Sequence, residues 1–540
     1  GFDPQLTTAG VGRADVWVFD ATNLGTSLGG TPVTIVKLFG DTPRALAVSP
    51  DGATVYAGVL FSGNRTTVIN EGGVCDGGGG VGSCTAGDTT VPGGLPFPNA
   101  NFEGQVGPET GLIVKYNAAV SQWQDQLGRN WNSAVRFSLP DLDVFAIDAN
   151  ATTPVQTQSW ASVGTVLFNI VASPTVPGKL YVSNTDAHNE VRFEGPGIVS
   201  GGNTVRGHLH ESRITVINGT SVLPRHLNKH INYSERPSPL GTIDKSLATP
   251  VGMAISSNGQ TLYVAAFGSS KVGVFSTAQL DADTFVPSVS DHVILTGGGP
   301  SGLVLDEPRG RLYVFTRFDN SISVVDTGTK TEIGHVPVYN PEPTNVVAGR
   351  PVLYDAAFAS SNGEASCSSC HVFGDLDQLA WDLGNPDDTV NVNPMTIKLS
   401  LFASAESLNG DAELDEFHPM KGPMTTQTLR GMSNSGPMHW RGDRSNGFFG
   451  VGTDEALSFD NFIVAFEGLL GRESIIPAAD MHDFTSFALT MTLPPNPIRA
   501  LNNSLTTDQQ AGRNFYVGSR RSDGVSIGSD TGFNCNGCHV

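Results

Sequence analysis

Within the first 340 residues one local pattern keeps returning: an apolar stretch ends in Ser or Asp and a glycine turn, and an aromatic strand follows. It reads LAVSPDGATVYAG around Tyr56, IVASPTVPGKLYVSN around Tyr181, MAISSNGQTLYVAAF around Tyr263 and LVLDEPRGRLYVF around Tyr313. A second strand recurs with strict alternation: TTVIN before Glu71, ITVIN ending at Asn218, VGVFS ending at Ser276, ISVVD ending at Asp326, DVWVFD at 15–20 and DVFAID at 143–148. Period-two alternation puts one face of each strand in a core and the other toward solvent. A single unit of this size cannot bury its own apolar face, so neighbouring units must stack. Tyr263 and Tyr313 are 50 residues apart, the length of a four-stranded blade, and the larger tyrosine gaps of 125 and 82 leave room for inserted loops. Six copies of the second strand predict an all-β propeller of six or seven blades over 1–345, its ring closed by DVWVFD pairing with the last blade.

Composition supports a turn-rich globular chain. There are 64 Gly and 33 Pro in 540 residues without a collagen period, and 15% of residues are charged. The formal net charge of −21 repels phosphate backbones, which excludes nucleic acid as a partner, and it steers a cationic protein inward. No run of 18 apolar residues is present to span a membrane.

Four of the six cysteines fall into two copies of C-x-x-C-H: Cys367, Cys370 and His371 in CSSCH, and Cys535, Cys538 and His539 in CNGCH. This spacing reads as c-type haem attachment, in which both thiols add across porphyrin vinyl groups and the adjoining histidine takes the iron. A zinc ribbon would need its two pairs some 15–20 residues apart, and a thioredoxin-like pair gives no reason for a histidine to follow twice. Two haem c groups are therefore expected, with His371 and His539 as proximal ligands. Haem c is attached outside the bacterial cytoplasm, which predicts a processed, exported chain in the periplasm or outside the cell. Cys75 and Cys84 flank the loop CDGGGGVGSC and are expected to form a disulfide in that oxidising compartment.

After Pro351 the texture changes. Helices are expected over 353–370, over 454–471 and in ADMHDFTSFALTMTLPPNP, which prolines 494, 495 and 497 stop. A helix into CSSCH and a last helix ending in LPP outline a mostly α cytochrome c domain at 346–500. LTTDQQAGRNFYVG leads into CNGCH as the start of a second one at 501–540, which breaks off one residue after His539.

Two resemblances follow from these motifs. LYVSN and LYVAAF are similar to YVTN-type β-propellers over about 14–340. TTQTLRGMSNSGPMHWRGD (425–443) resembles the signature of bacterial di-haem cytochrome c peroxidases and their methylamine-utilisation relatives, with Thr428, Leu429, Arg430, Pro437, Met438 and His439 matching in order. The resemblance implies two haem c domains packed together and Met438, or else His439, as the distal iron ligand, with Met432 and His418 next. Seven of the eight methionines lie between Met395 and Met491, a crowding expected where one ligates iron. Those enzymes carry a substantial length of chain after the second haem motif. Here either the sequence is a fragment of a longer protein, or the second haem's cover comes from the first cytochrome domain, the propeller or a neighbouring copy in a homo-oligomer.

A second metal site is weighed in the propeller. His188, His208, His210, His226 and His230 fall within 43 residues, as GHLHESR and PRHLNKH. On a strand the i, i+2 pair shares a face, and on a helix the i, i+4 pair does. Copper held by His208, His210, His226 and His230 is one reading; the other is a polar insertion whose histidines bond backbone or water. The acidic run 374–388 could take calcium, against a solvated turn.

The chain thus reads as an exported di-haem c-type cytochrome. A redox enzyme of peroxidase or oxidase type, passing electrons between haems, is the first expectation. The alternatives are a non-catalytic electron-transfer cytochrome or extracellular conduit with a propeller docking module, and a propeller copper oxidoreductase using the haems as acceptors. Each implies a redox partner, a cationic protein or another cytochrome.

Overall fold

All four Ser/Asp-Gly turns join the first two strands of a four-stranded antiparallel sheet. The computed structural model describes residues 14–26, 30–136, 141–398, 413–435, 438–440, 444, 454–494, 500 and 502–517. In the first turn Ser49 Oγ accepts from the Thr54 amide at 2.9 Å and donates to Asp51 at 2.6 Å, while Gly52 takes φ 72°. Ser256, Asn258 and Gly259 repeat that arrangement, again with φ 72° at the glycine. Only glycine adopts such a φ without strain, so its place in the repeat fixes the hairpin register.

The first sheet has the order β11 (Val155–Trp160), β10 (Val144–Asp148), β4 (Thr54–Val59), β3 (Pro43–Val48). The second runs β12 (Val166–Ala172), β13 (Lys179–Ala187), β14 (His210–Asn218), β15 (Ser221–His226). The third runs β16 (Pro250–Ile255), β17 (Thr261–Ala266), β18 (Lys271–Ser276), β19 (His292–Ile294), and the fourth β20 (Pro300–Asp306), β21 (Arg311–Thr316), β22 (Ser321–Asp326), β23 (Thr331–Pro337). The first strands β3, β12, β16 and β20 pack side by side in sequence order, as in a β-propeller. The repeat tyrosines lie between blades: Tyr56 packs with Ile170 and Leu180, Tyr181 with Met253 and Leu262, and Tyr263 with Leu312 and Val314. Short helices α1 (Thr242–Lys245) and α2 (Thr277–Ala282) sit in the connections.

Two of the six alternating strands do not build blades, so the described residues hold four complete ones where six or seven were expected. TTVIN becomes β5 (Thr66–Ile69) in a separate sheet with β8 (Leu112–Asn117) and β9 (Gln122–Gln124). That insertion also carries the hairpin β6 (Cys84–Ala86), β7 (Thr89–Val91) and the Cys75–Cys84 disulfide. Strand β10 takes the vacated place beside β4, with Ala146 opposite Tyr56. DVWVFD forms β1 (Ala14–Val18), which pairs with β2 (Thr34–Leu38) and not with the last blade. Thr34–Leu38 offers a nearer partner, and Val16 and Val18 then pack with Val36, Leu38 and Phe145.

Beyond the fourth blade come α3 (Thr344–Tyr354), α4 (Ala356–Ala359), α5 (Glu455–Asp460), α6 (Ala465–Gly468) and α7 (Ala478–Ala488). The helix expected over 353–370 is broken: Pro351 sits in the last turn of α3, and Asp355 caps α4 by accepting from the Ala357 and Phe358 amides. Helices α3 and α7 touch at Gly349, where a Cβ would lie 2.1 Å from the Asp483 carbonyl oxygen. Their core, with Leu353, Phe466, Met481 and Phe484, is continuous with Ala265, Phe267 and Phe318 of the propeller. Arg192 and Asp382, at 4% and 2% side-chain exposure, bridge the two at 2.7 Å. Strand β24 (Ala380–Trp381) pairs with β27 (Met424–Thr425), and β25 (Asn391–Lys398) with β26 (Glu413–Phe417). Residues to Met491 form one compact unit; a second, Thr492–Val540, contains α8 (Thr507–Val517). No helix of the described residues is long and apolar enough to cross a membrane.

Candidate functional site

The CSSCH segment folds as a single tight turn. The His371 amide donates to the Cys367 carbonyl at 2.9 Å, and Ser369 Oγ accepts from the Ser366 amide at 3.1 Å. One helical turn places positions i, i+3 and i+4 on a common face. Cys367, Cys370 and His371 accordingly line one cavity of about 520 Å³, a size typical of small-molecule and cofactor sites. Neither thiol is in a disulfide. Burial pushes the Cys367 thiol up to about 12, and burial followed by the neighbouring Asp377 carboxylate raises Cys370 well above its ordinary value.

Residues 427–430 close over this turn. His371 Nδ1 lies 2.8 Å from the Gln427 carbonyl oxygen, the Leu429 amide donates to the Gly374 carbonyl at 3.2 Å, and Arg430 donates to the Phe373 carbonyl at 3.0 Å. A carbonyl can only accept, so Nδ1 carries the proton and Nε2 of the neutral ring keeps its lone pair. Burial lowers the His371 pKa and so favours that neutral form. Gly374 takes φ 76°, and the Met491 sulfur lies 2.6 Å from where a Cβ would stand. Asp377 receives the Leu379 amide at 3.0 Å and Trp381 Nε1 at 2.9 Å, and burial lifts its pKa to about 6.

The rest of the lining is mostly apolar, with Leu209, Leu429, Phe462, Phe466 and Leu470 among it. Met424, Met432, Met438, His439 and Met481 also reach the cavity. Met438 is buried, and His439 has φ 69° with its ring 6.2 Å from that of Phe462. His418 accepts from the Met420 amide at 3.0 Å and is not among the lining residues. Trp440, half-exposed, also lines the cavity and donates to the Thr425 carbonyl at 2.7 Å. Two thiols, a lone-pair imidazole nitrogen and thioethers around an apolar cavity are the donor set that haem c uses. Cys535, Cys538, His539 and Pro437 lie outside the described residues.

The propeller histidines divide. His208 meets Glu211 and His188, neither of which the earlier four-histidine grouping contains. His210 is buried beside Trp381, ring centroids 5.3 Å apart. His226 bonds Glu364 at 2.9 Å, and His230 donates to the Thr242 carbonyl at 3.0 Å. The antiparallel pairing of Asp186 with Glu211 across β13 and β14 brings His188 to the others, a link no sequence spacing reveals. In the acidic run Asp375 pairs with Arg430, Asp382 with Arg192, and Asp387 accepts the Gly197, Ile198 and Val199 amides.

No family model matches the chain, and no curated protein matches it in sequence. Among solved structures it is similar to hydrazine synthase of Kuenenia stuttgartiensis at 16% identity and TM-score 0.27, over 58% of this chain and 90% of that one. It is similar to the periplasmic gluconolactonase PpgL of Pseudomonas aeruginosa at 13% identity and TM-score 0.31, over 64% and 68%. The nidogen/laminin complex follows at 13% identity and TM-score 0.25, over 56% and 82%. Likeness this low carries no argument about fold or function; the propeller rests on the sheets themselves.

Proposed function

We propose that this protein is an exported c-type cytochrome in which a β-propeller carries a haem c redox module, with a second haem c at Cys535, Cys538 and His539. The observation that carries this reading is the CSSCH turn, with both thiols and the imidazole facing one apolar cavity and Nδ1 held by Gln427. Bound there, haem c supplies a one-electron iron couple. Cys367 and Cys370 would tether it by addition to its vinyl groups. His371 offers Nε2 as proximal ligand, and Gln427 holds that ring in one tautomer and one orientation. Met438, which lines the same cavity, would be the sixth ligand, a choice that would raise the potential relative to bis-histidine ligation. Leu429, Phe462, Phe466 and Leu470 would lower the polarity around the iron.

With both axial positions filled in this way the module would act in electron transfer. Trp440 marks the open edge at which a redox partner docks, and the charge of −21 selects a cationic one. The peroxidase or oxidase reading differs by one coordination position. It is tested by adding cyanide or peroxide to the oxidised protein: an unchanged Soret band supports the carrier, and a ligand-induced shift supports the enzyme.

A further inference from the structure

Outside the cavity, the facing ends of β13 and β14 bring two histidines and a carboxylate to one point. His188 Nε2 lies 3.5 Å, and His208 Nε2 3.3 Å, from the same oxygen, Glu211 Oε1. All three atoms are within 4.8 Å of one another, and the imidazole rings are 4.2 Å apart at 43°. His188 Nε2 is shielded from solvent and makes no hydrogen bond.

These separations are long for hydrogen bonds to a carboxylate. The two distances to Glu211 Oε1 match what a metal imposes, since ligand atoms about 2.0–2.2 Å from a tetrahedral ion stand roughly 3.4 Å apart. We infer that His188, His208 and Glu211 hold a divalent first-row metal ion, zinc or copper, in a site whose fourth position opens to solvent. Imidazole with carboxylate suits these borderline ions. The three side chains keep 22%, 23% and 17% of their surface exposed, which gives the ion an entry path and leaves room for water or a substrate.

The surroundings are built to hold these ligands in place. Arg213 donates to Glu211 Oε2 at 3.0 Å, leaving Oε1 for the ion, and also bridges to Asp186 at 2.7 Å. Tyr233 stacks on the His208 ring with centroids 3.4 Å apart. The Tyr233 hydroxyl in turn bonds buried Glu364, which also accepts from His226, Asn228 and the Ser212 amide. Such outer contacts orient ligands and raise affinity. Next along β14, buried His210 has a ring nitrogen within 4.8 Å of Cys370 Sγ.

The test is titration of the full haem-loaded protein, stripped with EDTA and dialysed, with ZnCl2 and separately with CuSO4. Calorimetry should show one saturable equivalent for at least one ion, with imidazole nitrogens in the Cu(II) EPR spectrum. His208→Ala and the near-isosteric Glu211→Gln should each weaken binding by at least about 100-fold, while His335→Gln leaves it unchanged. Circular dichroism and an unaltered Soret band would show that the variants fold and keep haem, so failure here is separable from failure of the haem reading. No saturable binding, or wild-type affinity in Glu211→Gln and His208→Ala, would overturn the proposal.

Discussion

His371 Nδ1 donates to the Gln427 carbonyl at 2.8 Å, and the residue that follows that carbonyl by three, Arg430, donates back to the Phe373 carbonyl at 3.0 Å. The cysteine turn and the 427–430 segment therefore lock each other. His371→Gly should keep the thioether attachments but convert that haem to a high-spin form. Added imidazole should restore the low-spin spectrum, because the pocket still stands. The optical spectrum with and without imidazole checks this.

Met438 is buried at the cavity wall, next to His439. Met438→Ala should abolish the long-wavelength Met-to-iron charge-transfer band and lower the midpoint potential of one haem. If the band survives, potentiometry and spectra of His439→Ala identify the ligand instead.

The pair Arg192 and Asp382 is almost completely buried and also receives support from the Pro96 carbonyl at 2.6 Å. Arg192→Met leaves a buried carboxylate without its counter-ion, and urea unfolding should show a loss of about 3–5 kcal/mol. Arg192→Met combined with Asp382→Leu should recover most of it, since no charge is then stranded. A loss in the double variant equal to that of the single one would show that the pair does more than neutralise itself.

His292 is held down to about 4, first by burial and then by Lys271. A histidine depressed in the fold contributes stability that is present above its unfolded value near 6.5 and lost as pH falls toward 4. The slope should amount to about 2 kcal/mol over that window, discounted because solvent reaches part of the ring. His292→Gln should flatten the difference in stability between pH 7 and pH 4, measured by urea unfolding at each pH.

The blades were legible in the sequence because each pairs a Ser/Asp-Gly turn with an alternating strand, and both signals are local. Alternation alone misled twice: Thr66–Ile69 and Ala14–Val18 carry the same pattern but pair with β8 and β2. Pattern sets which face a strand buries, whereas its partner depends on what the intervening chain leaves vacant. The cysteine turn was readable from spacing, whereas residues 428–430 stood out only through the resemblance of 425–443 to a family signature. The hydrogen bond from His371 to Gln427 was not, since a backbone carbonyl leaves no mark on residue identity. The histidine cluster was visible as a density in GHLHESR, but its membership was not. Strand pairing brought His188 to the His208 and Glu211 of that segment and left His226 and His230 to bond Glu364 and the Thr242 carbonyl.

The proposed function stands on haem held covalently by the C-x-x-C-H turns. The most direct measurement is a pyridine haemochrome assay on the acid-acetone-washed, denatured protein, wild type beside the Cys367→Ser, Cys370→Ser variant. The account predicts about two haem equivalents per chain in the wild type and about one in the variant, matching its two motifs. A wild-type protein with no covalent haem and zinc in its place, or a variant that retains both equivalents, would contradict it.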